Sequence, residues 1–223
     1  MRGLYAILDW TTLAARGIDP VAFADAVLRV RPAAFQLRAK EAPAREVLAL
    51  LRELAPMCRS LGVPLVANDR PDLAVMAGCD FVHVGQTDMP IDRVRRIAPG
   101  LRVGVSTHTR EQLVAALAAR PDYVAFGPVF ETSTKRDPDA VVGVDGVRMA
   151  HALAGKAGVP LVAIGGITLE RARALVGLVD AVAVVSDLVP VAVGSDTLRE
   201  VTARARALHD RLSPPPAFAG AAT

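Results

Sequence analysis

Residues 35–40 read FQLRAK, a stretch that begins like a buried strand yet carries Gln36, Arg38 and Lys40. Strand side chains alternate faces with a period of two, so these three point one way and Phe35, Leu37 and Ala39 the other. A guanidinium and an ammonium aimed into one small space imply an anion. A third cation, Lys135, ends the polar run FETSTK at 130–135. Only three of the 26 basic residues are lysines: Lys40, Lys135 and Lys156. Where arginine carries the general surface charge, a lysine at a motif position is a point-charge ammonium rather than a planar fork. Helix capping does not explain these cations, because positive charge at a helix N-terminus opposes the dipole. Phosphate is the commonest small-molecule anion that such a set would hold.

Two acids accompany the cations, Asp69 in NDR (68–70) and Asp88 in HVGQTD (83–88). They read either as ion-pair partners or as ligands of Mg²⁺, which takes one or two carboxylates plus phosphate oxygens. With pyrophosphate as the anion, the metal reading is the more economical. A second, neutral phosphate site is suggested by Gly165-Gly166 and Val185-Ser186, since glycine lets the backbone approach a ligand closely. Taken singly, Ser106, Thr168 and Asp187 read as helix N-caps. No Ser-His-Asp or Cys-His arrangement is legible. His83 and His108 read as neutral hydrogen-bonding or stacking residues.

The elements that must position these groups alternate regularly. Short β-branched runs near 3–9, 33–38, 63–67, 80–84, 101–105, 122–126, 159–163 and 179–185 read as strands. Ala/Leu/Arg-rich windows near 20–30, 43–60, 71–77, 90–97, 109–119, 145–155, 168–176 and 195–211 read as helices. VPLVA occurs twice, each time after a glycine that ends a helix, as in a repeated βα unit. Eight such units predict an α/β fold, a single (β/α)8 TIM barrel over 1–212, with chemistry at the C-terminal ends of the strands. A doubly wound sheet is the alternative, but no G-x-G-x-x-G follows the first strand. Residues 213–223 (SPPPAFAGAAT) predict a disordered tail, and the long Gly127–Gly143 connection predicts a lid.

Bulk composition narrows the partners. The 223 residues are 52% hydrophobic and 22% charged with a net charge of +3, a balance unlike a nucleic-acid footprint. Cys58 and Cys79 form neither a disulfide framework nor a zinc pattern, so idle thiols in a reducing compartment are expected. There is no signal-like N-terminus and no apolar run of roughly 18 residues, so a soluble cytoplasmic protein without membrane partners is expected. Apolar outer-helix positions leave room for a homodimer.

Together, LYAILD, QLRAK, NDR, HVGQTD, GVSTH, FGPVFETSTK, AIGGI and VAVVS, in order from residue 4 to about 187, resemble thiamine-phosphate synthase. The resemblance implies joining of a hydroxymethylpyrimidine diphosphate to a hydroxyethylthiazole phosphate, with release of pyrophosphate. It implies that Gln36, Arg38, Lys40, Asn68, Ser106 and Lys135 hold the pyrimidine diphosphate, with Arg38, Lys40 and Lys135 catalytic. It implies that Asp69 and Asp88 ligate Mg²⁺, and that Thr132, Ser133, Thr134, Gly166, Val185 and Ser186 hold the thiazole phosphate. The related thiazole tautomerase branch shares the fold but commonly lacks the full diphosphate and metal set. A non-catalytic binder on the same scaffold would have a broken set of cations or carboxylates. One departure is Leu8 before Asp9, where the family more often has a hydroxyl residue. It implies an altered detail of the pyrimidine pocket.

Overall fold

The strands are short and apolar on both sides, the pattern of a parallel sheet buried on each face. In the computed structural model, which describes residues 1–132 and 139–213, they close into a barrel of eight parallel strands in sequence order. These are β1 (Gly3–Asp9), β2 (Ala34–Arg38), β3 (Leu65–Asn68), β4 (Phe81–Val84), β5 (Arg102–Thr107), β6 (Tyr123–Phe126), β7 (Leu161–Ile164) and β8 (Ala181–Val184). β8 pairs back onto β1, with Gly3 opposite Ala181. Inward positions such as Tyr5, Ile7, Ala34, Val66, Phe81, Tyr123 and Val162 form one apolar cluster. Alternate positions such as Leu4, Leu8, Phe35, Leu37, Val82 and Val124 join the larger core beneath the helices. Leu8 is therefore fully buried on the outer side of its strand, and its departure from the family pattern does not touch the pocket.

The surrounding helices are α1 (Trp10–Ala14), α2 (Pro20–Leu28), α3 (Ala44–Leu61), α4 (Pro71–Ala77), α5 (Ile91–Ile97), α6 (Arg110–Ala118), α7 (Gly143–Ala157) and α8 (Thr197–Leu212). Gly62 and Gly158 end α3 and α7 in the same left-handed conformation, φ 67°, just before the two VPLVA repeats. Two elements differ from expectation. α1 forms directly on the end of β1, because Asp9 accepts a hydrogen bond from Thr12 N and caps it. The helix expected at 168–176 is a short 3₁₀ segment, Arg171–Leu175, confined between Gly166 and Gly177. A further 3₁₀ turn, Ser186–Leu188, follows β8.

The opposite end of the barrel carries a repeated clasp. Asp80, Asp122 and Asp180 each stand just before an even-numbered strand. Their carboxylates accept from amides at the start of the preceding strands: Leu65 N at 2.9 Å, Val103 N at 2.8 Å and Leu161 N at 2.9 Å. Backbone bonds return from each aspartate amide to the same three residues. Both cysteines are free thiols, and burial pushes each up to about 12, in keeping with idle groups. Among the described residues no helix is long and apolar enough to cross a membrane. The tail expected from residue 213 lies, apart from Ser213, outside the described residues.

Candidate active site

A cavity of about 340 Å³ opens at the C-terminal ends of the strands. Its deeper wall is apolar, built from Ile7, Ala125, Val162, Ile164 and Ala183. Most of its polar lining comes from the inward positions that end β2 to β5 and the loops beyond them, and the loops after β6, β7 and β8 complete it. Gln36, Arg38, Lys40, Asn68, Asp69, Asp88, Ser106, Thr132, Gly166, Val185 and Ser186 all face this one space. An apolar wall with a few convergent polar groups is the usual lining of a small-molecule site.

The floor is crossed by a continuous hydrogen-bonded chain. Gln36 Nε2 donates to Asn68 Oδ1 at 2.7 Å, and Tyr5 Oη donates to Gln36 Oε1 at 2.6 Å. Tyr5 and Tyr123 hydroxyls meet at 2.8 Å. His83 Nδ1 lies 2.8 Å from Tyr123 Oη, and His83 Nε2 lies 2.7 Å from Ser106 Oγ. The His83 ring stacks on Tyr123 with centroids 5.6 Å apart. Gly104 makes room for this arrangement: a Cβ there would lie 2.0 Å from Tyr123 Cζ.

At the mouth, each described cation of the expected set holds an acid. Arg38 donates to Asp9, which is buried beneath it and also accepts from Thr12 Oγ1 at 2.7 Å. Lys40 Nζ lies 2.9 Å from Asp69 Oδ2. Asp69 in turn lies close enough to Asp88 for the two carboxyl groups to interact. Burial raises the Asp69 carboxyl above its usual range and the Asp88 interaction adds to the rise, while Lys40 opposes it. Asp69 has φ 62°, a left-handed conformation that Asp and Asn tolerate better than other side chains. Gly85 N donates to Asp88 Oδ2 at 2.7 Å and fixes the second carboxylate. Two adjoining carboxylates suit a hard divalent cation whose other positions are filled by water and phosphate oxygens. Among the described residues no set of three or more His, Cys, Asp or Glu gathers to hold a metal alone.

Residues 4–188 match the protein family described as thiamine monophosphate synthase. The chain belongs to that family. Among relatives, the thiamine-phosphate synthase of Koribacter versatilis (strain Ellin345) is 47% identical over 157 residues, 69% of this chain and 72% of its own. That of Chloroflexus aurantiacus is 36% identical over 214 residues, 93% of this chain and 94% of its own. Among solved structures, the thiamine phosphate pyrophosphorylase from Pyrococcus furiosus superposes with a TM-score of 0.77 at 28% identity, covering 95% of this chain and 97% of its own.

Against the expectations for a thiamine monophosphate synthase family member, most named site residues gather in the cavity; Lys135, Ser133 and Thr134 lie outside the described residues. Ser106 is not a helix cap: it lies within β5 and bonds His83, while Thr109 caps α6. Thr168 does serve a local amide, that of Arg171, but Asp187 is not a helix cap: it lies within the 3₁₀ turn after β8 and accepts from the amide of Leu169, 18 residues away in the loop after β7. Gly165-Gly166 answers first to the protein's own chain. A Cβ on Gly166 would lie 2.2 Å from Glu131 O, so the glycine admits the loop that follows β6. Arg171 donates to Gly166 O at 2.8 Å and braces the same turn. His108 Nδ1 donates to Gly127 O at 2.6 Å, with Nε2 facing Asp139 at 3.5 Å. Sequence reasoning missed Asp9, Tyr5 and Tyr123. The alternation of β1 and β6 was the available signal, since it places Tyr5 and Tyr123 on inward positions.

Proposed function

We propose that this chain is a thiamine-phosphate synthase: it joins 4-amino-2-methyl-5-(diphosphooxymethyl)pyrimidine to hydroxyethylthiazole phosphate, releasing pyrophosphate and forming thiamine phosphate. The observation that carries this reading is the single cavity shared by Arg38, Lys40, Asp69 and Asp88 on one side and Gly166, Val185 and Ser186 on the other. A diphosphate site and a second phosphate site thereby adjoin one apolar slot.

In this reading the ring of the first substrate lies against Ile7, Ala125 and Val162, with Gln36, Asn68 and Ser106 along its polar edge. Arg38, Lys40 and Lys135 hold the diphosphate and balance the charge that grows as its carbon–oxygen bond breaks. Thr132, Ser133, Thr134, Gly166, Val185 and Ser186 hold the thiazole phosphate and aim the thiazole nitrogen at the same carbon, where the new carbon–nitrogen bond forms. No protein nucleophile is required, so catalysis is positioning plus electrostatics. Asp69 and Asp88 would hold Mg²⁺, which supplies further neutralisation of the leaving group when bound.

The test is a coupled pyrophosphate-release assay. Release is expected only with both substrates and Mg²⁺ present, and EDTA should abolish it. Isomerisation of a thiazole without pyrophosphate release would identify a tautomerase, and binding without turnover a non-catalytic binder. Lys135→Ala should lower kcat by roughly a hundredfold with little change in thiazole phosphate affinity.

A further inference from the structure

The hydrogen-bonded chain across the barrel floor admits one direction. Gln36 Oε1 can only accept, so Tyr5 commits its single proton there. Tyr5 therefore accepts from Tyr123 across their 2.8 Å contact. The Tyr123 proton is then used, so His83 Nδ1 must carry the hydrogen that reaches Tyr123 Oη. Burial pushes both phenols upward, and each keeps its proton. In a neutral imidazole with Nδ1 protonated, Nε2 accepts, and the Ser106 hydroxyl donates to it at 2.7 Å. Only lone pairs of Ser106 Oγ remain for whatever enters the cavity.

We infer that Tyr5 and Tyr123 are positioning residues that fix His83 as its Nδ1–H tautomer and so make Ser106 an obligate acceptor. The site then selects a ring that presents an amino group at this edge and rejects one that presents a carbonyl. The identity of that ring rests on the proposed synthase reading; the protonation pattern rests on the chain's own atoms. The far end of the wire has complementary character, because Gln36 Nε2 gives one proton to Asn68 and keeps a second. Discrimination of this kind is large where a site is built around a specific donor, since the wrong ligand leaves buried groups unpaired.

Two measurements test it on the full-length protein. Two-bond ¹H–¹⁵N correlation spectra of ¹⁵N-histidine-labelled protein, assigned with single His→Gln variants, should show the His83 proton on Nδ1. A proton on Nε2, or on both nitrogens, overturns the inference. Tyr5→Phe removes the acceptor that Tyr123 donates to, which lets Tyr123 turn its hydrogen to His83 Nδ1. The His83 proton should then move to Nε2, an effect that simple loss of packing would not produce. An unchanged tautomer in Tyr5→Phe overturns the wire. If that variant does not fold, Tyr123→Phe carries the same arm, with loss of a single enforced tautomer expected and its retention overturning the wire.

The second measurement compares inhibition by an aminopyrimidine and by its oxo analogue. The preference for the amine should fall at least about tenfold in Tyr5→Phe, the worth of one hydrogen bond; an unchanged preference overturns the assigned selectivity. Absence of pyrophosphate release by the wild-type protein would defeat the synthase reading alone, because the spectra still decide the tautomer.

Discussion

Asp9 and Asp69 look alike in the sequence, each closing a strand, yet they carry opposite energetic signs. Asp9 is 4% exposed, bonded to Arg38 and to the start of α1, so removing it leaves a guanidinium without its partner and a helix without its cap. Asp9→Ala should cost about 3 kcal/mol or more in urea denaturation, whereas Asp9→Asn keeps the cap and should cost less. Both should lower kcat, because Arg38 loses the partner that aims it. Asp69 is different: its carboxyl is raised by burial first, so the folded chain holds the proton more tightly than the unfolded one. As pH rises, the unfolded state ionises first and stability falls; below both ionisations the contribution vanishes. Asp69→Asn should therefore raise the melting temperature in EDTA at pH 7, with the gain disappearing in acid, while abolishing turnover. Asparagine is the informative replacement because it tolerates the left-handed backbone at φ 62° better than alanine does. A lower melting temperature for Asp69→Asn at pH 7 would contradict the assigned sign.

The two ends of the barrel divide labour between their elements. Strand C-termini hold the polar groups of the cavity, and strand N-termini hold the aspartate clasps. The sequence revealed the strands because β-branched runs recur at regular intervals, and it revealed Gln36, Arg38, Lys40, Asn68, Asp69 and Asp88 because charge or amide groups interrupt those runs. Tyr5 and Tyr123 sit within such runs and look like core residues; only the pairing of distant strands brings their hydroxyls together. Asp9 was hidden because its partner Arg38 lies 29 residues away on the neighbouring strand. The clasps make a prediction at this scale. Asp180→Ala leaves the buried amide of Leu161 without its acceptor and should cost about 1–3 kcal/mol in denaturant. Its kcat should stay unchanged, since the site lies at the other end of the barrel. A large loss of activity with unchanged stability would break the division of labour.

At the scale of the whole molecule, the charges of the mouth belong to different strands and are tied together without a ligand. Arg38 is engaged by Asp9, and Lys40 by Asp69, which leans on Asp88. A diphosphate arriving alone meets Lys40 partly neutralised and two carboxylates that repel it. A divalent cation arriving alone meets Asp69 already paired with Lys40. When both arrive, Lys40 can leave Asp69 for the phosphate oxygens as the carboxylates are satisfied separately. The two ligands should therefore bind synergistically, which is a coupling free energy between sites and is reciprocal. Thermal melts should show small shifts with Mg²⁺ or pyrophosphate alone and a larger one with both. A complex saturated at 100 times its dissociation constant gains about 2.7 kcal/mol, or roughly 5–10 °C for a chain of this length. Lys40→Met removes the cation that must change partners, so it should flatten the synergy more than it alters the response to Mg²⁺ alone. Simple additivity of the two shifts in the wild-type protein would mean that the acids and cations of the mouth act independently.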